Sequence, residues 1–253
     1  GSIGVTWAKM VPDDIHARFS ALSRRYRYLI YNHPLRPVLQ RQQLSWCHQP
    51  LSVEPMQQAA QALVTPARAS CLACLVGEHD FNAYRAVACQ ARSAVRRVDF
   101  ITVGRIGRLV MIDIQANGFL HHMVRNIAGV LIRIGAGEAE PEWAQQVLES
   151  RDRTRGGVTA PPQGLYLVAV GYPQRFDLPR LPLGPLWMQD AGGWSAVIMP
   201  PLFDLWPSHA DTHQNLRHHP HRGCPLCGGG RRRRHRAGVP SGQPPRAVAR
   251  CRC

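Results

Sequence analysis

Three side chains with chemical potential, His121, His122 and Arg125, interrupt an otherwise apolar stretch at residues 117–129. Together they could ligate a metal, activate a nucleophile, hold a phosphate, or do no more than close off a core helix. A zinc site takes three or four ligands, and neither a His-Glu-x-x-His spacing nor another nearby ligand accompanies this pair. Arg125 would also repel a cation. Hydrogen-bonding residues at a helix start are the simpler reading of the histidines. Arg125 is different: a guanidinium flanked by Val124, Ile127 and Ala128 is costly to bury without an anionic partner.

A second candidate is Tyr26, within Arg24-Arg-Tyr-Arg-Tyr-Leu-Ile-Tyr31. An aromatic ring among arginines can stack on a nucleobase while the guanidiniums take phosphates, although aromatic strands pack cores more often than they bind bases. Cys71-Leu-Ala-Cys74 and Cys224-Pro-Leu-Cys227 each have zinc-type spacing. About 150 residues separate them, far more than metal ribbons use, so buried thiols and chance account for them better. No phosphate loop, dinucleotide fingerprint or Gly-x-Ser-x-Gly elbow occurs.

The elements that must position these residues follow from periodicity. Tyr26, Tyr28 and Ile30 alternate with Arg27, Leu29 and Tyr31, which predicts a strand. Met56, Ala59, Ala60 and Leu63 fall on one face of a helix over 52–64, with Pro55 in its first turn. Residues 97–103 and 108–116 flank Gly104-Arg-Ile-Gly107 and predict a hairpin, with Val110, Ile112, Ile114 and Ala116 on one side and Met111, Asp113 and Gln115 on the other. A helix is predicted over 119–134, its core stripe Phe119, Met123, Ile127 and Val130 widened by Leu120, Val124 and Leu131. On that helix His121 would sit one turn before Arg125, near a positive helix start that welcomes an anion. A short helix over 141–148 and a strand over 165–170 complete the pattern. The fold class is α+β, an antiparallel mixed sheet with helices packed on one face.

Charge supplies the function class. There are 31 Lys plus Arg against 16 Asp plus Glu, a formal +15, and Lys9 is the one lysine. A basic chain whose cations are arginines leans toward nucleic acid; codon bias in a GC-rich genome accounts for the Lys/Arg ratio but not for the net charge. No apolar run nears the roughly 20 residues of a spanning helix, and the first residues lack a signal-peptide pattern. A cytoplasmic protein with no membrane partner and reduced thiols is expected.

Composition changes near Asp190. Residues 191–253 carry 10 Arg, 2 Asp, no Lys and no Glu, with 8 of the 21 prolines and 6 of the 12 histidines. They read as a disordered basic tail or as out-of-frame sequence, the second favoured by the missing Lys and Glu. A folded domain over 1–190 followed by this tail is the expected organisation.

Several stretches are more specific together than singly: Val11-Pro-Asp-Asp-Ile-His-Ala-Arg-Phe-Ser-Ala21, Arg25-Tyr-Arg-Tyr28, Gly77-Glu-His-Asp-Phe81, residues 117–126, Thr159-Ala-Pro-Pro-Gln-Gly-Leu-Tyr-Leu167 and Leu183-Gly-Pro-Leu186. In this order they closely resemble the tRNA pseudouridine synthase A family, over about residues 1–190. The resemblance implies a pseudouridine synthase-like catalytic half and a cofactor-free isomerase acting on uridines 38 to 40 of the tRNA anticodon stem-loop. It further implies a homodimer with RNA across both subunits. In such enzymes an Asp attacks a flipped nucleotide, the glycosidic C–N bond breaks, and the uracil turns and rejoins through C5. The resemblance makes Tyr26 the tyrosine that lies against the target base and Arg125 the arginine that pairs with the catalytic carboxylate. His121 and His122 are left with RNA contact or support of the arginine.

The departures are equally specific. The family's nucleophile lies in an Arg-Thr-Asp-x-Gly-Val-His motif that these residues do not contain, and none of Asp13, Asp14, Asp80, Asp99 or Asp113 has that context. The expectation is a fragment that begins after the N-terminal subdomain and is inactive alone. Residues 64–73 look inserted, which leaves Cys71 and Cys74 outside the shared pattern. The alternative is a non-catalytic basic RNA-binding protein.

Overall fold

The computed structural model describes residues 3–64, 78–179 and 184. The domain boundary near 190, residues 191–253, the Cys71 to Cys74 segment, and Cys224 and Cys227 lie outside the described residues.

Among the described residues the strands and α-helices follow in the order β1 (Ser23–Asn32), β2 (Ser45–Cys47), α1 (Val53–Ala62), β3 (Glu78–Asp80), β4 (Val95–Ile106), β5 (Leu109–Ala116), α2 (Met123–Gly135), α3 (Trp143–Ser150) and β6 (Leu165–Gly171). The strands form one six-stranded sheet in the order β2-β1-β5-β4-β3, with β6 also on β1. Strand β1 is the hub. One edge pairs antiparallel with β5 from Arg24 to Tyr31. The other edge is divided: β6 takes Ser23 to Tyr28 antiparallel, and β2 takes Ile30 to Asn32 in parallel. The α+β class and the helix-covered face hold, and the β1–β2 pair makes the sheet mixed.

Strand alternation sorts the two faces. Tyr28, Ile30, Val110, Ile112 and Ile114 face the helices and join Met56, Ala59 and Ala60 of α1, Met123, Ile127, Val130, Leu131 and Ile134 of α2, and Ala144, Val147 and Leu148 of α3 in one core. The apolar periods predicted for β5 and α2 are therefore the buried ones. Leu29, Met111 and Leu44 pack on the opposite face with Tyr31, Leu109 and Tyr166.

Three boundaries differ from expectation. Strand β4 runs through Gly104, which pairs with Met111, and the hairpin turns at Gly107 and Arg108, between the paired Ile106 and Leu109. Gly107 has φ +55°, as the first position of a two-residue turn demands. Helix α3 starts two residues late, after a turn at Pro141 and Glu142. Helix α2 starts at Met123 and not at 119. Among the described residues no helix is long and apolar enough to cross a membrane.

Helix α2 carries the 158–160 segment at very close range. A Cβ on Gly129 would stand 2.0 Å from the Val158 carbonyl oxygen and 3.2 Å from its carbon. Neither atom can swing aside as a side-chain tip could. Ala is normally favoured over Gly in a helix by about 1 kcal/mol, yet here Gly129→Ala is expected to lower stability by about 2 kcal/mol or more, because the overlap pushes backbone apart. A thermal melt checks this: a raised midpoint would contradict the close approach.

Candidate functional site

The site is assembled from β1, the lead-in to α2, and the 158–161 segment. Tyr26 and Tyr28 share the helix-facing side of β1, opposite Ile114 and Ile112. Tyr26 is half-buried. Its ring meets Phe119 edge-on, with centroids 5.1 Å apart and planes at 88°, an arrangement that orients the ring without covering it fully. Burial raises the Tyr26 hydroxyl pKa, with the Arg24 charge acting against it. Tyr28 is wholly buried, and its hydroxyl donates to the Pro161 carbonyl at 2.8 Å. Burial pushes its pKa up to about 12, against a hydrogen bond with Ser45 and the charge of Arg125.

Arg125 lies in the first turn of α2 and is half-buried. Its Nε donates to the Ala160 carbonyl at 2.7 Å, while its own carbonyl accepts from the Ala160 N–H at 3.1 Å. Residue 160 is thus held twice by one residue. Beside it, Asn126 is 2% exposed. Its Nδ2 donates to the Tyr84 carbonyl at 2.7 Å, and its Oδ1 accepts from Thr159 Oγ1 at 2.7 Å and Arg153 Nη2 at 3.1 Å. With both ends of the amide satisfied, the 153–160 segment is fixed against the start of α2. Among the described residues, no carboxylate pairs with Arg125, and its terminal nitrogens make no hydrogen bond. The anionic partner argued from its apolar flanks is not within the described residues.

The histidines are placed differently from the helical prediction. His122 precedes α2 at φ 59°, ψ 8°, in the left-handed region, so His121 and Arg125 do not stack one turn apart on a helix face. The local cause is visible: the His121 N–H reaches Cys89 Sγ at 3.4 Å, and its carbonyl accepts from the Ala86 N–H at 3.0 Å. These two bonds tie the residue to the 86–89 loop and out of the helical path. The two imidazoles lie against each other, centroids 3.9 Å apart. The pKa of His122 is held below its usual value by burial, and further by the charges of Arg125 and His121. Among the described residues, no three His, Cys, Asp or Glu side chains gather as a metal site.

The arginines of β1 divide by face. Arg25 and Arg27 point away from the helices, and both bind Asp113, which is wholly buried. Arg25 grips it with Nε and Nη2, each at 2.7 Å, and Arg27 with Nε at 2.9 Å. A bulge at Asp99 in β4 leaves Phe100 facing the same way, and the Arg25 guanidinium lies over its ring at 4.9 Å. The reading in which these arginines could take phosphates gives way to a buried ion triad; alternation alone puts each of the three on the side of its strand away from the core residues, and the β1–β5 register brings them together. Arg24 points the other way. With Arg18, Arg96, Asn117, Gly118 and Phe119 it lines a cavity of ≈ 390 Å³. Arg18 and Arg96 went unnoticed in the sequence, since nothing in their spacing announces that they meet.

Residues 72–173 match the family model described as tRNA pseudouridine synthase. A tRNA pseudouridine synthase A of Coxiella burnetii is 52% identical over 186 residues, covering 74% of this chain and 67% of the relative. The tRNA pseudouridine synthase A of Pseudomonas aeruginosa is 54% identical over 183 residues, 72% of this chain and 60% of the relative. That of Klebsiella pneumoniae is 51% identical over 190 residues, 75% and 66%. The matches therefore span some two thirds of these relatives' length. Identity above half over such a span places the chain in the tRNA pseudouridine synthase A family.

Proposed function

We propose that this chain is the part of a tRNA pseudouridine synthase that presents a base-stacking tyrosine, Tyr26, and a carboxylate-pairing arginine, Arg125, to uridines 38 to 40 of an anticodon stem-loop. The observation that carries the reading is the 52% identity over 186 residues to a protein of that name. In the proposed reaction an Asp carboxylate bonds to the flipped nucleotide, the C–N glycosidic bond breaks, and the uracil rotates. A C–C bond from C5 to the ribose then forms as the bond to the Asp breaks, the hydrogen at C5 leaves as a proton, and the freed N1 takes one up. Arg125 supports this reading with terminal nitrogens that make no hydrogen bond among the described residues, beside a tethered Nε; a guanidinium fork in that condition suits a carboxylate. His121 and His122 take RNA contact or support of Arg125. The setting is a cytoplasmic homodimer with RNA across both subunits and no cofactor.

The nucleophile is the Asp of an Arg-Thr-Asp-x-Gly-Val-His segment, which the 253 residues do not include. Tritium release from tRNA labelled at uridine C5 tests both parts. The chain alone should release none, and a chimera that supplies such a segment ahead of it should release tritium. Turnover by the chain alone would refute the assignment of the nucleophile, and a silent, folded chimera would refute the enzyme reading.

The net charge of +15 favours a second reading, a non-catalytic basic RNA-binding protein. Filter binding across a salt series separates the two. A steep slope that shrinks when residues 191–253 are removed supports the binding role, and an unchanged slope counts against it.

A further inference from the structure

We infer that the cavity lined by Arg18, Arg24 and Arg96 is a phosphate subsite, which grips one RNA backbone phosphate beside the nucleotide lying against Tyr26; this rests on the proposed tRNA substrate. The three arginines come from separate places: the segment before β1, the start of β1, and the start of β4. Like charges converge at a cost unless a counter-charge joins them. Among the described residues none of the three pairs with a carboxylate, although seven ion pairs form elsewhere.

What holds them is neutral backbone. Arg24 Nη1 donates to the carbonyls of Ala21 at 3.0 Å and Asn117 at 2.9 Å, and its Nη2 to that of Arg18. Arg96 Nη1 donates to the carbonyls of Ser93 at 2.9 Å and Val95 at 2.6 Å. Carbonyls fix a guanidinium in place without neutralising it, so its charge remains for a ligand. Partial burial of Arg96 lowers its pKa, with the charge of the neighbouring Cys89 thiolate acting against it. Arg18 is exposed at the rim, above the ring of Phe19 at 5.6 Å.

Position selects the occupant. Phe119 lines the cavity and is also the ring packed edge-on against Tyr26. One aromatic side chain therefore separates the cavity from the proposed base platform, a spacing suited to a base and phosphate of one nucleotide, which are joined through a ribose. Forked guanidiniums match phosphate oxygens, and this contact positions the strand without reading its sequence.

The experiment uses the full 253-residue chain and an anticodon stem-loop whose phosphates near the target uridine are replaced, one at a time, by uncharged methylphosphonates. Binding should fall about tenfold at one position. The Arg96→Gln variant should bind the unmodified RNA about tenfold more weakly and lose almost nothing further from that same replacement. Arg18→Gln, a change at an exposed site that leaves the fold untouched, should show the same position-specific loss of sensitivity. If either variant's penalty multiplies with every replacement, or if no single phosphate matters, the subsite is overturned. A stem-loop that binds no better than an unrelated hairpin at equal salt would instead count against the tRNA substrate, and the position-specific result would still report a phosphate grip.

Discussion

Asp113→Ala should cost the folded domain about 3–5 kcal/mol, the range for removing one partner of a buried charge network. The carboxylate is wholly buried and accepts three short hydrogen bonds, two from Arg25 and one from Arg27. Removing it withdraws the counter-charge from two guanidiniums whose side chains are 5% and 10% exposed, and neither can regain full hydration while the sheet stays formed. The converse change is milder, because Arg27→Met leaves the bidentate Arg25–Asp113 pair intact. Urea denaturation reads the order directly. Asp113→Ala should shift the midpoint far more than Arg27→Met, at an unchanged slope. Equal shifts, or a loss below about 1 kcal/mol for Asp113→Ala, would mean that the triad does not hold β1 to β5.

This triad also marks the limit of what periodicity reveals. The alternation of β5 put Asp113 on the side away from Ile112 and Ile114, and that of β1 put Arg27 away from Tyr28; both hold in the register, where Arg27 faces Asp113. The pairing of β1 with β5 was not legible, and without it the charged residues looked solvent-facing and free for RNA. Strands β2 and β3 span three residues each, too short to show a period. They exist because β1 and β4 offer them an edge. The start of α2 was misplaced for a different reason. Phe119 and Leu120 continue the apolar spacing of the helix that follows, and the hydrogen bonds of His121 to the 86–89 loop, contacts across more than 30 residues, accompany the left-handed turn at His122.

The site divides along the same line. Tyr26 and Arg125 were found through motif resemblance, and the fold puts both on the helix side of the sheet through local rules: strand phase for Tyr26, first-turn position for Arg125. The arginine cavity depends on three distant backbone segments meeting, which no local pattern encodes. The segment 159–161 was recognised as a motif without a role. Its role is mechanical, since Ala160 clamps Arg125 and Pro161 receives the Tyr28 hydroxyl.

That clamp shapes the effect expected of Arg125→Ala. In a chimera supplying the Arg-Thr-Asp-x-Gly-Val-His segment, turnover should fall by at least about 10²-fold, the scale for losing one charge-stabilising donor at a reacting centre. Affinity for tRNA should stay within a few-fold, because the proposed partner of Arg125 is the carboxylate and not the RNA backbone. The substitution also breaks the Nε bond to Ala160, so a drop in turnover could arise from a loosened 158–161 segment. Arg125→Lys separates the causes. Lysine keeps the charge but lacks the Nε–H and the planar fork, so a carboxylate-pairing role predicts a partial rescue of turnover over the alanine variant. A purely structural role predicts that turnover follows the thermal midpoint, whichever residue is present. Equal losses of binding and turnover in Arg125→Ala would place the guanidinium on the RNA, and the cavity beside Tyr26 would then not be the only phosphate grip on this face.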